Sequence, residues 1–133
     1  MEQTMSLLIK PPIADITEKP EFSPPITGTH VTAGGVEEVM VETALADPFW
    51  FDMYVFLNNL VAGDDFTIRV YVRDNAGAYQ LKDQQQFAGA QAIKVYEINR
   101  LYGDGDCDIR VTIQRNSGVD RAFPFRWDVL KEV

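Results

Sequence analysis

The chain has 133 residues, a size that predicts one domain with a core large enough to fold without disulfides or bound metal. Hydrophobic residues make up 46% of the chain and charged residues 24%, and no apolar run is long enough to cross a bilayer, so the composition predicts a soluble globular protein and no membrane partner. The net charge of −8 argues against nucleic acid as a partner, because phosphate binding requires clustered Lys and Arg.

An extended, proline-rich arm is the first predicted element and covers residues 1–25. It holds five of the seven prolines, which are Pro11, Pro12, Pro20, Pro24 and Pro25. Proline cannot donate to a sheet ladder and is excluded from helix interiors, so this segment is predicted to be poor in strands and helices. The first ten residues lack the basic start and the long apolar run of a signal peptide, so classical secretion is not expected.

One β domain is predicted for residues 26–133, because apolar and polar side chains alternate with period two and turn residues separate the runs. The predicted strands are residues 26–33, 36–46, 49–57, 66–73, 79–87, 93–98, 109–114 and 123–130. A short helical turn is expected at residues 88–93. The pattern predicts an all-β fold, an antiparallel β-sandwich of jelly-roll type with about eight strands.

The alternation also predicts which side chains share a face of their strand. Val39 and Val41 are expected on one face, and Ile93 and Val95 are expected on one face opposite Lys94, Tyr96 and Ile98. The strand at 49–57 has large apolar side chains in both phases, which is typical of a strand buried between two layers or exposed at an interface. The mostly polar strand that follows the fourth one is expected at a sheet edge or on a wet face.

Charge is distributed unevenly along the chain. Residues 1–65 hold eleven acidic residues against two lysines, whereas residues 66–133 hold ten basic residues against nine acidic ones. The two halves could attract each other between neighbouring copies of the chain. Alternatively, they interleave within one sandwich and the asymmetry averages out.

Four arginines occupy the outward phase of predicted strands. If their strands share a sheet, they form a stripe that could grip carboxylates on a neighbouring subunit. The alternative is a set of separate pairs with local acids. The four residues are Arg69, Arg73, Arg110 and Arg126.

Three aromatic residues, Trp50, Tyr54 and Phe56, lie in the second phase of the strand at 49–57. Such side chains could stack on sugars or be buried at an oligomer interface. Burial in a core or an interface is the favoured interpretation, because aromatic residues are enriched there.

A possible calcium turn is formed by Asp104, Asp106 and Asp108, because alternate carboxylates are the spacing by which calcium loops gather oxygens. A helix–loop–helix calcium site starting at Asp104 would need Gly at 109 and Glu at 115, where this chain has Ile109 and Arg115. A polar turn between strands is therefore the favoured interpretation.

No catalytic site is predicted. His30 is the only histidine and has no nucleophile motif near it, so a structural role is expected. The paired acids at 37–38 and 64–65 point to opposite faces of an extended chain and are expected to be solvated. Cys107 is the only cysteine, which excludes a disulfide within the chain. We therefore expect no enzyme activity and no cofactor.

The region from residue 61 onward resembles small β proteins encoded among the structural genes of tailed bacterial and archaeal viruses. The residues that carry the resemblance are Ala62 to Asp64, Thr67 to Tyr71, Val111 to Arg115, Gly118 with Arg121 to Phe123, and Phe125 to Val129. The resemblance implies a minor virion component of the capsid-decoration or head-associated type, with no catalytic residues.

The resemblance and the arm together predict a non-enzymatic subunit of a virus particle, made in the host cytoplasm and present in many copies. Its expected partners are further copies of the chain, a major capsid protein, or both, with the arm reaching the neighbours. Two alternatives stay open. One is a carbohydrate- or surface-binding β module that uses Trp50 and Tyr54, and the other is a tail or filament subunit.

Overall fold

The computed structural model describes residues 21–22, 24–73, 77–104 and 107–131, and for residues 21 and 22 it describes the backbone alone. No helix occurs in these ranges, so none there could span a membrane. The described residues form nine strands: β1 (Glu21–Phe22), β2 (Ile26–Val31), β3 (Glu37–Glu42), β4 (Phe49–Phe56), β5 (Asp65–Arg73), β6 (Tyr79–Ala88), β7 (Val95–Gly103), β8 (Ile109–Ser117) and β9 (Ala122–Lys131).

The strands form two antiparallel sheets. Sheet A has the order β2-β9-β4-β7, and β1 continues the β2 edge by pairing with the end of β9. Sheet B has the order β3-β8-β5-β6. From β2 to β9, each strand is followed by a strand of the other sheet, except that β5 and β6 form a hairpin within sheet B. This order of strands is the eight-stranded jelly roll built of two Greek keys. The predicted all-β sandwich is therefore confirmed, and the polar strand β6 is an edge strand, as expected.

The core lies between the two sheets. β4 contributes Phe49, Phe51, Met53 and Val55, which are all buried. Sheet B faces them with the alternating apolar residues of β5 and β8, and each fully buried residue of this size contributes about 1.5–3 kcal/mol to folding. The side chains of sheet B that are fully buried are Phe66, Ile68, Val70, Ile109, Val111 and Ile113.

The second apolar phase of β4 lies on the outside of the molecule. Trp50 and Phe56 are half-buried there, and Tyr54 is 37% exposed. β4 is a central strand, between β9 and β7, so its outer side chains lie in the middle of sheet A. Of the two interpretations of this strand, an outer face with exposed apolar residues is the one that applies.

The prediction that Val39 and Val41 share a face of β3 was wrong. A β-bulge between Val39 and Val41 shifts the register against β8, so Val41 is buried and Val39 is exposed. A bulge adds one residue to one strand and thereby breaks the period of two.

The predicted strand near residue 93 has the right alternation but begins two residues later than expected. β7 begins at Val95 and turns Tyr96 and Ile98 toward the core, whereas Ile93 lies before the strand and is 78% exposed. Residues 88–93 form the end of β6 and a bend, so the expected helical turn is absent there.

The predicted arm overlaps the described part of the chain at its end. β1 lies within it. β1 and β2 both pair with the same edge of β9, and Pro24 and Pro25 lie in the gap between these two strands. Both prolines are exposed, and a sheet edge is where a residue without an N–H is tolerated. The other prolines of the arm lie outside the described residues, namely Pro11, Pro12 and Pro20.

Candidate functional site: the outer faces of the two sheets

The residues predicted to form an interface divide between the two outer faces. Arg69 and Arg73 on β5 and Arg110 on β8 share sheet B, whereas Arg126 on β9 belongs to sheet A. The four arginines therefore do not form one stripe. Arg126 instead lies directly opposite Tyr54, beside the outer aromatic residues of β4.

On sheet B, Glu37 is the centre of a cross-strand network. Tyr71 and Thr112 each donate a hydroxyl hydrogen bond of 2.5 Å to Glu37 Oε2, and Arg69 Nη1 lies 3.6 Å from Glu37 Oε1. Burial alone would raise the pKa of Glu37, but the two hydroxyl donors and the arginine charge hold it below its ordinary value. The carboxylate thus ties β3 to β8 and β5.

A second network surrounds the ring of Tyr79 at the edge of sheet B. The Arg110 guanidinium lies 3.9 Å from the ring centre and that of Arg73 lies 5.1 Å away. The Tyr79 hydroxyl donates to Glu42 at 3.0 Å, and Arg110 Nη2 donates to the same oxygen at 3.2 Å. The hydrogen bond from Arg110 lowers the pKa of Glu42. Both arginines are therefore held against an aromatic ring and a carboxylate of the same chain.

The predicted calcium turn is only partly described. Asp108 is buried and accepts hydrogen bonds from Arg73 Nη2 at 2.8 Å and from Thr43 Oγ1 at 3.3 Å. Asp104 forms a backbone bridge with Cys107, and Asp106 lies outside the described residues. Within the described ranges, no three His, Cys, Asp or Glu side chains are grouped so that they could hold a metal. Asp108 thus serves to join β8 to β5.

On sheet A, the outer face carries exposed aromatic side chains. Trp50 contacts Tyr102 on β7 edge to face, with 5.0 Å between the ring centres, and Tyr102 is 43% exposed. Tyr54 hydrogen-bonds to Glu97, which raises the pKa of the phenol. The edge contact and the half-burial of Trp50 leave it less open than a free sugar-stacking platform.

A shallow cavity of about 310 Å³ lies in the middle of the same face. A bulge at its floor sets one residue of β4, Asp52, against two residues of β7. Arg100 has φ of 55° there, a left-handed conformation that is uncommon without glycine, and its amide donates to Asp52 Oδ1 at 2.9 Å. The bulge thus directs an arginine toward the cavity. The residues that line the cavity are Asp52, Tyr54, Asn99, Arg100, Arg126, Trp127 and Asp128.

The ion pairs of the described residues distinguish the two faces. Five of the seven arginines lie within 4 Å of a carboxylate, and these are Arg69, Arg73, Arg110, Arg115 and Arg121. None of the ion pairs among the described residues involves Arg100 or Arg126, which both line the sheet A cavity. Asp52 and Asp128 lie directly opposite each other in register at the same place.

The loops at one end of the sandwich are joined by Asp64. Its side chain is 2% exposed and accepts two hydrogen bonds from Arg121, at 2.7 and 3.3 Å, and one from the amide of Val61. The Arg121 hydrogen bond lowers the pKa of Asp64. Gly118 packs so closely on this carboxylate that a Cβ would lie 2.3 Å from Asp64 Oδ1. The expectation that Asp64 is solvated was therefore wrong.

The other acids expected to be solvated also have partners. Glu37 is the centre of the sheet B network, and Glu38 Oε1 lies 2.7 Å from His30 Nε2 while its other oxygen accepts from the amide of Ala33. His30 thus has a contact of the structural kind that the sequence predicts. Three ion pairs join acids of residues 1–65 to arginines of residues 66–133, so the two charged halves do interleave within one sandwich.

The sequence identified some of these residues and missed others. It placed Trp50, Tyr54 and Phe56 together in one phase of their strand, and Arg126 in the outward phase of another, and these phases are found. That the two sets share one outer face was not predicted. It missed the residues whose role depends on strand order, because neighbours across strands cannot be found without the register. These are Asp52, Tyr71, Tyr79, Arg100, Tyr102, Thr112 and Asp128.

In comparisons with known proteins, no protein-family model and no curated protein matches the chain. Solved structures are similar over most of it. A structure of infectious bursal disease virus Gx strain covers 86% of this chain with 9% identity and a TM-score of 0.47, and the VP2 subviral particle of the same virus covers 86% with 12% identity and a TM-score of 0.49. A structure of T=1 particles derived from infectious bursal virus covers 86% of this chain with 10% identity and a TM-score of 0.42.

The chain spans about a third of the length of these solved chains, 33% of the first two and 32% of the third. At this identity and with TM-scores below 0.5, none of these likenesses carries a conclusion about what this chain does. The resemblance to proteins of tailed viruses stays a prediction.

Proposed function

We propose that this chain is a non-enzymatic structural subunit of a virus particle, of the capsid-decoration or head-associated type, that assembles in many copies. The observation that carries the proposal is the strand order of the two sheets, β2-β9-β4-β7 against β3-β8-β5-β6. This is the jelly roll found in viral capsid domains, and also in lectins and cupins. Fold alone does not decide function, so the choice among these classes depends on the interior and on the outer faces.

The interior favours a building block over a ligand container. Phe49, Phe51, Phe66 and Phe123 are fully buried between the sheets, and Phe66 contacts Phe123 edge to face at 4.9 Å. A ligand that enters between the sheets, as in a cupin-type site, would have to displace these rings. The binding capacity of this molecule therefore lies on its surface.

The buried and half-buried polar side chains support the same proposal, because they act in tying strands and loops together. Asp64 joins two loops through Arg121, and Asp108 joins β8 to β5 through Arg73. Groups engaged in this way resist deformation but are not poised for proton transfer to a substrate. Rigidity of this kind suits a subunit whose shape is repeated in an assembly.

The arm supplies a route to neighbouring molecules. β1 and β2 lie on the outer edge of sheet A, so the arm leaves the sandwich at an edge and beside the C-terminal end of β9. An extended, proline-rich segment loses little entropy when it docks, and it can lie in a groove of the next subunit or add a strand to it. We propose that the arm contacts neighbouring subunits or a major capsid protein.

The experiment compares the full chain with a variant that lacks residues 1–20 and keeps β1. The full chain is expected to form large regular assemblies in electron micrographs. The shortened chain is expected to keep its unfolding midpoint, because the described strands remain, and to lose the assemblies. Regular assemblies of the shortened chain would contradict the role of the arm, and a full chain that never assembles, alone or with a capsid protein, would contradict the proposed function.

A surface-binding β module is the second candidate, because the sheet A cavity combines a tyrosine and two aspartates with two arginines that form no ion pair with another described residue. Charged, hydroxyl-bearing sugars could be bound by such a mixture of donors, acceptors and rings. A glycan array with the full chain tests it. Binding that is lost in Arg126→Ala would favour this candidate over the structural subunit.

A further inference from the structure

The outer face of sheet A has a pattern that is complementary to itself. Along β9 the outward side chains are Pro124, Arg126, Asp128 and Leu130, so a base and an acid at the centre are flanked by apolar residues. About Trp127, the base Arg126 lies at the same distance as the acid Asp128, and apolar Pro124 lies at the same distance as apolar Leu130. The neighbouring strands repeat the pattern.

On β4, the outward residues from one end to the other are Trp50, Asp52, Tyr54 and Phe56. Register places Asp52 beside Asp128 and Tyr54 beside Arg126, so the polar rows of β4 and β9 coincide. The apolar ends coincide as well, because Trp50 lies beside Leu130.

On β7, the outward residues follow the same order. Val95 lies beside Phe56, Glu97 beside Tyr54, and Tyr102 beside Trp50. Arg100, at the bulge, lies in the row of Asp52. The face therefore consists of an apolar row, two polar rows with both signs of charge, and a second apolar row.

We propose that two copies of the chain associate through this face about a two-fold axis that lies between the faces, perpendicular to the strands and level with Trp127. The inference rests on the proposed multi-copy assembly and names one contact within it. Such an axis lays each strand on the same strand of the second copy, running in the opposite direction. A two-fold contact of this kind is isologous, so each pair of contacts occurs twice.

The charges match under this axis. Arg126 faces Asp128 of the second copy, and Glu97 faces Arg100 of the second copy. Tyr54 faces Asp52, so its hydroxyl, which hydrogen-bonds to Glu97 in the single chain, can donate to Asp52 of the second copy instead when Glu97 meets Arg100. Arg100 and Arg126, which have no ion pair among the described residues, thus meet carboxylates of the second copy. The repulsion between Asp52 and Asp128, which lie opposite each other in one chain, is offset by the donors that the second copy brings to them.

The apolar rows match too. Trp50 faces Phe56 of the second copy, Leu130 faces Pro124, and Tyr102 faces Val95. These residues are half-buried or exposed in the single chain, so the contact removes their apolar surface from water. Aromatic residues at an interface and charges that pair across it are the composition expected of a specific contact.

The charge pattern favours this axis over one that runs parallel to the strands. A two-fold axis parallel to the strands would lay β9 on β4 of the second copy. Asp128 would then face Asp52, because the two are in register within one chain. Like charges placed face to face cost several kcal/mol and exclude that arrangement.

The size of the face predicts a weak contact. Strands lie about 4.8 Å apart and each residue advances about 3.3 Å, so four strands over seven residues cover roughly 20 by 20 Å in projection. This is about half of the roughly 800 Å² per partner of a standard interface. The contact is therefore populated at high concentration, or when other contacts hold the copies near one another.

The test measures self-association of the full chain by sedimentation up to roughly 1 mM, with Arg126→Glu, Asp128→Arg and their equimolar mixture. Each single variant is expected to associate at least about tenfold more weakly than the wild type, because the side chains at positions 126 and 128 then carry the same charge and meet twice across the contact. The mixture is expected to recover most of the wild-type affinity. In a mixed pair, one contact is the native Arg126 with Asp128, and the other joins the two substituted side chains, which again carry opposite charges.

Lys82→Glu and Asp83→Arg are matched controls, because they make the same charge changes at exposed positions of β6 on the other sheet. Both are expected to associate like the wild type. Single variants that associate as tightly as the wild type, or a mixture no tighter than its components, would overturn the two-fold contact without touching the proposed function. A wild-type chain that stops at a dimer would support the contact and contradict the multi-copy role.

Discussion

The two outer faces of the sandwich differ in whether their arginines form ion pairs within the chain. On sheet B, Arg69, Arg73 and Arg110 each meet a carboxylate of the same chain, and Tyr79 lies against two of them. On sheet A, Arg100 and Arg126 have no ion pair among the described residues and lie near two aspartates that face each other in register.

This difference shows what each face does for the molecule. Opposite charges on neighbouring strands stabilise the sheet that carries them, whereas like charges directly opposite each other weaken it. Sheet B therefore uses its charged residues for its own stability. Sheet A keeps an arrangement that is unfavourable in the single chain and becomes favourable when a partner supplies the missing charges. Substitutions on the two faces should separate stability from association.

The largest expected effect is on the sheet B side, where Asp108→Ala removes a buried carboxylate. The free energy of unfolding should fall by about 2 kcal/mol, because Arg73 and Thr43 both lose their acceptor; Arg73 can partly turn to water, which limits the loss. Asp128→Ala is the matched change on sheet A and should stay within about 0.5 kcal/mol. Urea unfolding of both variants is the measurement, and equal losses would remove the distinction between the faces.

A smaller effect is expected at acid pH, again from sheet B. The pKa of Glu37 is lowered in the folded chain, so this carboxylate stabilises the fold above its unfolded pKa of about 4.3 and the stabilisation is lost as the pH falls through the lower folded pKa. Thermal unfolding from pH 7 to pH 2.5 should show Glu37→Gln less stable than the wild type at pH 7. The gap should close below about pH 4, and a gap that is constant with pH would contradict the network around Glu37.

The smallest effect is expected from a pair of tyrosines. Tyr79→Phe removes the hydroxyl that donates to Glu42 but keeps the ring against both arginines, so it should cost about 0.5–1 kcal/mol. Tyr54→Phe removes a hydroxyl that hydrogen-bonds to Glu97 on sheet A, but both side chains are exposed and water can replace the lost partner, so it should cost less stability than Tyr79→Phe while it weakens association. A stability loss in Tyr54→Phe larger than that in Tyr79→Phe would reverse the comparison.

The sequence predicts the sandwich well because its alternation is strict where both sheets bury one face. β5, β8 and β9 show this: Phe66, Ile109 and Phe123 face the core in the predicted phase. The prediction fails where the backbone departs from regular pairing. The pattern of apolar residues does not reveal the bulge beside Val41 or the late start of β7 at Val95. Both are features of the backbone pairing between strands and are not encoded in the type of any one residue.

The candidate site could be predicted only in part. Outer residues such as Trp50 and Arg126 follow from alternation along a single strand. Partners across strands do not follow, because Asp64 and Arg121 are 57 residues apart and meet only when the loops of the jelly roll come together. For the same reason, the pairing of Asp52 with Asp128 required the register of β4 against β9.

Hydroxyl-radical footprinting tests most directly whether copies of this chain meet through sheet A. The full chain is footprinted across a concentration series and read residue by residue by mass spectrometry. We expect Trp50, Tyr54 and Tyr102 on sheet A to become protected as the concentration rises, while Tyr71 and Tyr79 on sheet B do not. Protection of the sheet B tyrosines alone, or equal protection of both faces, would contradict the claim that copies of this chain meet through sheet A.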